Sequence, residues 1–559
     1  MRKLRPKATG AIAAFAALAM VVTGCAADPG SSKDNDETPF TFAGAGDPTS
    51  LDPSLASDGE TFRVTRQVFE TLLKHEDGGT EIVGGLAETW DQNEDGTEWS
   101  FTLRDGVKFH NGEDLVAETV CSNFDRWFNW SGQYQLPSLS TYWQDNFGGF
   151  AENEDDSMPD PNYVGCKADD DLNLTIEVKS SSSRYPGAFT LASMAIHSQE
   201  SIDAYKEQQP EGEGEGMTYP EYSQKVGDAH GTGPYKYKEW DQPNHEVTLE
   251  RYDDYWNDKA AGNVKTLIFK TISKENDRKQ ALLSGDVDGY DLVAPQDIGE
   301  LKDADMQVPT RDPFNIMYLA MNQEVDGKET VFANKEVREA VAHGVNKEKL
   351  IKQIYPPGSE AATQFQPPTL DGWSENVPTY DYDVDKAKSL MDGVSEEDKT
   401  IDFCYPTDVT RPYMPAPDSI FENLKADLEN IGFTIEDKPL TWAPDYTDDT
   451  SNGKCTAYIL GWTGDYNEAY NFLGTWFAHK DAAWGFEDQK IFDKLAEIDA
   501  EPDPEKRVPM YQEANDLIMD FIPGVPMTHS SPSIAFAPYV SPPTTSPLTM
   551  ENFAEVSFK

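Results

Sequence analysis

The sequence predicts an α/β protein with mixed sheets that is divided into two or three lobes. Segments with the period-2 alternation of strands are interleaved with segments of helical spacing, an order typical of α/β domains. The chain has 559 residues, which is more than one ordinary domain holds. Aromatic residues make up 11% of the chain, which is enough to fill several hydrophobic cores despite the high charge.

The elements can be assigned in chain order from local patterns. Trp99, Phe101 and Leu103 alternate with polar residues and predict a strand, and the Asp105-Gly106 turn predicts a hairpin that continues through Phe109. The further predicted elements are a helix through Val116 and Trp127, a strand from Val264 to Ile272, a helix through Val337 and Val341, a second helix capped by Asn346, a helix from Asp418 to Ile431 and a strand from Thr456 to Trp462.

The N-terminus has the pattern of a secretory signal peptide. Four basic residues among the first seven precede an apolar run from Ala8 to Thr23, which is shorter than the roughly 20 residues of a spanning helix. The segment Val22-Thr23-Gly24-Cys25 resembles a bacterial lipobox, in which the cysteine becomes the lipidated first residue of the mature protein. We therefore expect a signal peptide over residues 1–24 and a lipid on Cys25.

Residues 25–39 are rich in Asp, Ser, Gly and Pro without an apolar period, and they predict a flexible tether. The expected location is extracytoplasmic, with the lipid anchored to the outer face of the cell membrane. The alternative is an ordinary signal peptide with an incidental cysteine.

The chain is strongly acidic. Its formal net charge is −54 at pH 7, from 100 acidic and 46 basic residues. So acidic a surface repels phosphate backbones, which argues against nucleic-acid partners. Solubility and self-repulsion are the simplest reading of this charge, and adaptation to a saline habitat is the alternative.

The sequence lacks the motifs of common enzymes. It contains no GxxxxGK[ST] phosphate loop, no GxSxG and no HExxH, and its eight histidines have no metal-ligand spacing. No CxxC pair points to zinc or redox chemistry. We therefore expect no enzyme activity, no metal and no cofactor.

A series of motifs along the chain resembles the family 5 extracellular solute-binding proteins, which serve peptide, nickel and some oligosaccharide importers. The resemblance covers essentially the whole mature chain. It rests on these blocks in the family's order: Leu51-Asp52-Pro53, Val68 to Leu72, Gly85 to Trp90 followed by Phe101 to Gly112, Gly231 to Tyr235, Asp254-Tyr255-Trp256, and Asn334 to Ala340.

The resemblance implies a two-lobed clamp like that of the periplasmic binding proteins of the class II type, with an extra inserted domain. Lobe I is expected over residues 40–66, 199–310 and 523–559, the inserted domain II over 67–198, and lobe III over 311–522. The chain would cross between the lobes near Arg311 and near Pro523.

The cysteines predict two disulfides. Besides Cys25, the chain contains Cys121, Cys166, Cys404 and Cys455, and four cysteines allow three pairings. Cys121–Cys166 and Cys404–Cys455 are favoured, because each pair then lies within one expected lobe.

Two short segments resemble the ligand site of the dipeptide-binding members of the family. In Gly461-Trp462-Thr463-Gly464-Asp465 the matching aspartate binds the ligand's α-amino group, although the continuation at 466–468 is more similar to the oligopeptide-binding branch. In Arg411-Pro412-Tyr413-Met414-Pro415 the matching arginine binds the C-terminal carboxylate. A turn aspartate and a surface arginine are the alternatives.

Other residues are expected around these two charges. Tyr413, Trp462 and Trp442 offer aromatic contact area to a ligand, although single aromatic residues are as often part of a core. Lobe I is expected to offer backbone groups from the loop that contains Gly59 and Thr61.

The predicted function is that of the substrate-binding component of an ABC importer. It would capture di- or oligopeptides by closure of two lobes and deliver them to permease subunits served by a separate ATPase. We expect a monomer held at the membrane by its lipid. An oligosaccharide or a nickel chelate is the alternative ligand.

Overall fold

The computed structural model describes residues 33–206, 208–212 and 217–559. The predicted signal peptide, Cys25 and the first part of the tether lie outside the described residues. In the part of the chain that the structure describes, every helix is too short or too polar to cross a membrane.

The described residues form 22 strands and 15 α-helices. The strands are β1 Phe40–Gly44, β2 Leu73–His75, β3 Ile82–Gly84, β4 Ala87–Gln92, β5 Glu98–Leu103, β6 Tyr163–Ala168, β7 Asn173–Val178, β8 Tyr235–Asp241, β9 Glu246–Arg251, β10 Thr266–Thr271, β11 Gly289–Tyr290, β12 Asn315–Met321, β13 Glu324–Val325, β14 Lys328–Glu329, β15 Glu360–Ala361, β16 Thr400–Pro406, β17 Thr434–Leu440, β18 Ala457–Thr463, β19 Gly524–His529, β20 Ala535–Phe536, β21 Val540–Ser541 and β22 Ser557–Phe558. The helices are α1 Gly59–Thr65, α2 Ala117–Phe128, α3 Pro137–Phe147, α4 Tyr185–Ala188, α5 Gln199–Tyr205, α6 Glu275–Ser284, α7 Ile298–Asp303, α8 Lys335–Gly344, α9 Lys347–Ile354, α10 Val384–Met391, α11 Pro417–Asn430, α12 Thr447–Ser451, α13 Tyr470–Phe477, α14 Gln489–Ala500 and α15 Pro504–Phe521.

Lobe I is built on a six-stranded mixed sheet with the order β20-β11-β1-β10-β9-β8. Strand β1 is parallel to β10 and β11, whereas the remaining neighbours are antiparallel. Phe42 of β1 is fully buried and packs against Phe269 and Phe553, so the C-terminal segment closes the core of this lobe.

Residues 33–39, predicted as the end of a flexible tether, pack against lobe I. Lys33 Nζ lies 2.8 Å from Asp288 Oδ1 and 4.0 Å from the centroid of the Tyr539 ring. The Asn35 side chain accepts a hydrogen bond of 2.8 Å from the backbone N–H of Phe558. The folded part therefore includes Lys33, and the predicted boundary of the tether at residue 39 is wrong.

The inserted domain contains a four-stranded antiparallel sheet with the order β4-β5-β7-β6. Trp99 and Phe101 of β5 are buried as their alternation predicts. The predicted hairpin through Phe109 is wrong, because β5 pairs with β4 and β7 and the chain after the turn forms a loop. Tyr205 and Tyr222 belong to the same core, so this domain extends beyond residue 198.

Lobe III is built on a second six-stranded mixed sheet with the order β15-β19-β12-β18-β16-β17. Strand β12 is buried on both faces. Alternate residues of this strand join two separate cores, one with α8 to α11 and the other with α13 to α15. The predicted helices α2, α8, α9 and α11 and the predicted strands β10 and β18 are confirmed, as is the cap of α9 by Asn346.

Both predicted disulfides are present. Cys121 of α2 is bonded to Cys166 of β6, and Cys404 of β16 is bonded to Cys455 just before β18. The first bond ties a helix to the sheet of the inserted domain. The second joins the two segments that lead to the predicted ligand residues.

The two lobes are joined by neighbouring segments around Arg311 and Pro532. The backbone N–H of Arg311 donates to the Pro532 carbonyl at 2.9 Å, and the buried Arg311 side chain pairs with Asp291 at 2.7 Å and Glu551 at 2.6 Å. Because β19 belongs to the sheet of lobe III, the chain leaves that lobe only after His529. The crossing predicted near Pro523 is therefore placed too early.

Candidate ligand-binding site

The two predicted ligand segments meet at one edge of the lobe III sheet. Strands β16 and β18 are parallel neighbours, so their carboxyl ends point the same way, and the loops that follow them carry Arg411 and Asp465. A side chain at position 461 would overlap the Ile316 carbonyl and the Tyr413 ring, which shows how closely the two segments pack. Loops at the carboxyl ends of parallel strands are common ligand sites in α/β proteins.

Asp465 is held by hydrogen bonds from two other elements. Its backbone N–H donates to Asn471 Oδ1 at 2.9 Å, and Asn471 Nδ2 lies 3.4 Å from its Oδ2. The hydroxyl of Tyr142, on α3 of the inserted domain, donates to its Oδ1 at 3.2 Å. The carboxylate therefore lies where lobe III meets the inserted domain.

The electrostatics of Asp465 suit a cationic ligand. Burial raises the pKa of Asp465 to about 6, and hydrogen bonds from Asn471 and Tyr142 and the charge of Arg66 offset this only in part. Among the described residues no cationic side chain forms an ion pair with it. A ligand ammonium would supply the missing counter-charge.

Arg411 is also without a carboxylate partner in the described part of the chain. Its guanidinium lies over the Trp442 ring, 4.3 Å from the centroid, and its Nε is buried without a hydrogen-bond partner there. The adjoining backbone forms a tight bridge between Arg411 and Met414. The arginine is thus positioned by an aromatic face and retains its hydrogen-bonding capacity for a carboxylate.

The predicted aromatic residues differ in how much they offer a ligand. Trp442 and Trp462 are half-buried, and the indole N–H of Trp462 donates to Asn471 at 3.1 Å. Tyr413 is buried against Gly461, and burial raises the pKa of Tyr413 to about 12. Tyr413 therefore supports the site as a neutral packed ring.

Gly464 acts through its small size. A side chain at this position would overlap the rings of Phe314 and Phe472, and its N–H donates to the Phe314 carbonyl at 3.0 Å. The glycine thus allows the chain to pass closely over the core between the end of β18 and Asp465.

The predicted loop at Gly59 and Thr61 is the first turn of α1. Asp58 caps this helix, and its carboxylate accepts from the Thr61 N–H at 2.8 Å and from the Thr61 hydroxyl at 2.7 Å. The same hydroxyl accepts from Thr49 N–H at 2.9 Å, and Thr61 is fully buried. The expectation that this segment is a loop is wrong, and the Thr61 side chain is committed to the cap. Gly59 is exposed.

The sequence family can now be assigned. The model of the bacterial extracellular solute-binding proteins, family 5 Middle, matches residues 81–484. The chain belongs to this family.

This solute-binding protein resembles relatives along almost its whole length. The dipeptide-binding protein of Escherichia coli (strain K12) is 27% identical over 541 residues, which cover 93% of this chain and 94% of that protein. The di/tripeptide-binding protein 1 of Pseudomonas aeruginosa (strain UCBPP-PA14) is 28% identical, with 92% of this chain and 93% of that protein covered. The heme-binding protein A of Haemophilus influenzae is 25% identical, with 94% of this chain and 93% of that protein covered.

Solved structures show the fold of the solute-binding protein. The periplasmic binding protein DppA from Helicobacter pylori, in complex with the peptide STSA, has a TM-score of 0.76 at 22% identity, with 93% of this chain and 98% of that chain covered. A dipeptide-binding protein from Pseudoalteromonas sp. SM9913 in complex with Met-Leu has a TM-score of 0.76 at 21% identity, with 93% of this chain and 100% of that chain covered. The predicted α/β clamp with an additional domain is confirmed.

The solute-binding protein has a polar contact between the inserted domain and lobe III. Asp499, near the end of α14, accepts hydrogen bonds from Ser182 Oγ at 2.7 Å and Ser183 Oγ at 3.1 Å. Arg184 Nη2 lies 3.0 Å from its Oδ2. This Asp499 contact holds the two parts of the clamp together on the side of the inserted domain.

Three residues around the site were missed by sequence reasoning. Asn471 on α13 orients both Asp465 and Trp462, whereas Arg66 and Tyr142 approach Asp465 from lobe I and the inserted domain. Asn471 follows Asp465 by less than two helical turns, so a local polar partner could have been suspected. Arg66 and Tyr142 come from distant parts of the chain, and no spacing indicates them.

Proposed function

We propose that this protein is the receptor of an ABC importer that captures di- or oligopeptides. The observation that carries the proposal is the pair of unpartnered opposite charges, Asp465 and Arg411, at one edge of the lobe III sheet among the described residues. A peptide presents one ammonium and one carboxylate whatever its side chains, so two such sites recognise peptides without reading their sequence.

In this proposal Asp465 binds the α-ammonium and Arg411 binds the C-terminal carboxylate. Asn471 and Tyr142 hold Asp465 in place, and the Trp442 ring holds Arg411. Trp442 and Trp462 contribute contact area. The names of the Escherichia coli and Pseudomonas aeruginosa relatives, which are peptide-binding proteins, support the same ligand class.

Capture would proceed by closure of the clamp. A ligand that contacts lobes I and III favours the closed form, because it binds that form more tightly than the open one. The paired segments beside Arg311 and Pro532 are the proposed hinge. The predicted lobe boundaries change at three points: lobe I includes Lys33, the inserted domain extends beyond residue 198, and the second crossing lies beyond His529. The closed form then delivers the peptide to permease subunits that work with a separate ATPase.

The proposed location follows from the N-terminal sequence. The basic start, the apolar run and the Cys25 motif support export and lipid attachment at the outer face of the membrane. Two disulfides fit an oxidising compartment. We propose that the protein acts there as a tethered monomer.

Native mass spectrometry tests the ligand class directly. The protein is purified gently in detergent, and the mass that co-purifies is compared before and after its release. The expected result is one peptide or a ladder of peptides. An oligosaccharide or a nickel chelate, the alternatives within the family, would contradict the assignment of Asp465 and Arg411 and leave the family membership intact.

A further inference from the structure

Arg66 lies on lobe I beside the proposed amine site. It follows the last residue of α1, its guanidinium lies 5.2 Å from the centroid of the Phe62 ring, and its charge acts on both Tyr142 and Asp465. It is partly exposed. It therefore lies on lobe I within electrostatic range of Asp465 of lobe III and Tyr142 of the inserted domain.

Arg66 has no partner for its charge among the described residues. No carboxylate forms an ion pair with it there, and its side chain donates no hydrogen bond within that part of the chain. Burial lowers the pKa of Arg66 to about 10, so the guanidinium remains charged at neutral pH although much of its hydration has been removed. A charge in this condition gains from an anionic ligand.

Arg66 also borders a cavity of about 370 Å³, which we call the Arg66 cavity. Residues of both lobe I and the inserted domain line it. The walls include Phe69, His75, Thr190, Trp256 and Met550. The His75 ring lies near the backbone carbonyl of Asp465, so the cavity adjoins the proposed amine site. Its size is within the range of small-ligand pockets and suffices for a peptide side chain.

The other cationic groups of the cavity are already engaged. Lys74 is exposed and lies 3.6 Å from Asp77 at the rim. Arg104 donates to the Gly85 carbonyl at 2.7 Å and lies over the Trp256 ring. His75 carries no charge at neutral pH, because burial lowers its pKa to about 4.

The buried carboxylates of the cavity are engaged as well. Glu70 accepts hydrogen bonds from Thr232 Oγ1 at 2.8 Å, Tyr255 OH at 2.8 Å and Trp256 Nε1 at 2.9 Å. Glu551 pairs with Arg311. Among the described residues that line the cavity, Arg66 is thus the partly exposed cation whose side chain forms neither an ion pair nor a hydrogen bond.

We propose that Arg66 binds a carboxylate close to the ligand's ammonium, and that this carboxylate is the side chain of an acidic first residue. The inference rests on the proposed peptide-binding function. Asp465 takes the ammonium, Arg411 remains for the C-terminal carboxylate, and a first-residue side chain extends from the amine site into the Arg66 cavity. The receptor would then prefer peptides that begin with Glu or Asp.

Isothermal titration calorimetry with matched peptides tests this preference. Wild-type protein, freed of co-purifying ligand, is titrated with Glu-Ala, Gln-Ala and Ala-Ala and with the corresponding tripeptides that carry one further alanine. Glu-Ala is expected to bind about tenfold or more tightly than Gln-Ala, since a hydrogen-bonded charge pair replaces a neutral contact. Glu and Gln have nearly the same shape, so this comparison isolates the charge.

Variants then assign the preference to Arg66. Arg66→Gln should abolish the difference between Glu and Gln peptides and should weaken the binding of Glu-Ala much more than that of Ala-Ala, and Arg66→Lys should retain part of the difference. Lys74→Gln, which removes a paired cation of the same cavity, is the matched control and should keep the full preference.

Three results would overturn the inference. Equal binding of Glu and Gln peptides by the wild type would do so, as would a preference that survives in Arg66→Gln. If Arg66→Gln weakened the binding of Ala-Ala as much as that of Glu-Ala, Arg66 would bind the C-terminal carboxylate or support the fold instead. If the wild type binds none of the peptides, including Ala-Ala, the proposed function itself fails and this inference fails with it.

Discussion

At the scale of single residues, the site depends on charges that the protein leaves without partners. Asp465 is held by the neutral donors Asn471 and Tyr142, so its position is fixed while its charge remains uncompensated. A buried carboxylate without a cation is costly, and this cost raises its pKa. An ammonium that pairs with it would relieve this cost, and we therefore propose Asp465 as a strong determinant of peptide binding.

Asp465→Asn should weaken peptide binding by about tenfold or more, because the amide keeps the shape but lacks the charge that pairs with the ammonium. The melting temperature of the unliganded protein should not fall, since the substitution removes an uncompensated buried charge. Calorimetric titration with Ala-Ala and a thermal melt measure the two effects. Unchanged affinity would remove Asp465 from the amine site.

Peptide affinity should also fall below pH 6. The pKa of Asp465 in the unliganded protein is raised to about 6, so on acidification the residue takes up a proton that must leave before the ammonium binds. Between pH 6 and pH 5 the dissociation constant should rise toward tenfold, as expected for one linked proton.

Other charged groups near Asp465 require a control for this pH profile. Arg66 and the neutral Tyr142 keep their state over this range, and His75 changes only near pH 4. Partial desolvation by the surrounding protein also raises the pKa of Asp145, an exposed residue whose charge acts on Asp465. Asp465→Asn should therefore bind weakly with a flat profile, and a profile of the same steepness in that variant would assign the proton elsewhere.

At the scale of elements, the Asp499 contact explains why an acidic residue is tolerated near the C-terminal end of helix α14. A carboxylate in the last turn of a helix is disfavoured by the helix dipole, and Asp499 lies in the last turn of α14. The inserted domain compensates for this unfavourable interaction, because Arg184 forms an ion pair with Asp499 and the two preceding serines donate hydrogen bonds to its carboxylate. The contact therefore stabilises the arrangement in which the inserted domain and lobe III touch, which we propose to be the closed form.

Arg184→Gln and Asp499→Asn should each weaken peptide binding by about threefold to tenfold without touching the ligand, because each destabilises the closed form relative to the open one. Calorimetry gives the affinity, and small-angle scattering shows whether the unliganded variants are more open. Lys425→Gln is the control, since it breaks the 2.7 Å pair with Asp437 inside lobe III and should change neither quantity. Wild-type affinity in both interface variants would contradict the closure mechanism.

Sequence patterns predicted elements well where the information is local. Helices α8 and α9 could be predicted from their apolar spacing and from the Asn346 cap. Asp465 could be singled out from the motif at the end of β18. The hairpin predicted after β5 was wrong, because β5 pairs with β4, which directly precedes it, and with the distant β7. The crossing near Pro523 was wrong, because β19 pairs with β12 and β15, which lie far away in the sequence.

The candidate site was predictable only on the side of lobe III. Its two charges lie in motifs that follow neighbouring parallel strands. On lobe I the segment with Gly59 and Thr61 forms the first turn of a helix rather than the predicted loop, and the Asp58 cap occupies the Thr61 hydroxyl. The predicted contribution of its backbone groups to the ligand stays a prediction. Arg66 and Tyr142 reach the site only through the packing of three separate units, which no pattern within one segment reveals.

At the scale of the whole molecule, the acidic surface opposes the folded state. With 100 acidic residues against 46 basic ones, most carboxylates lack a cationic partner even if every Lys and Arg is paired. Many of the observed ion pairs are exposed, such as Lys108–Asp114 and Lys167–Asp169, and such pairs add little stability. The excess negative charge is confined to a smaller volume in the folded chain than in the unfolded one, and its repulsion is therefore larger there.

Salt should consequently stabilise the protein. Raising the ionic strength from about 0.01 M to about 1 M shortens the Debye length from about 30 Å to about 3 Å and screens the repulsion between exposed carboxylates. We expect the melting temperature, measured by calorimetry at pH 7, to rise by about 3 °C or more. NaCl and KCl should act equally, because screening depends on ionic strength rather than on the identity of the cation. A flat or falling melting temperature would show that the excess charge does not limit stability, and a difference between the two salts would point to specific cation binding by the carboxylates.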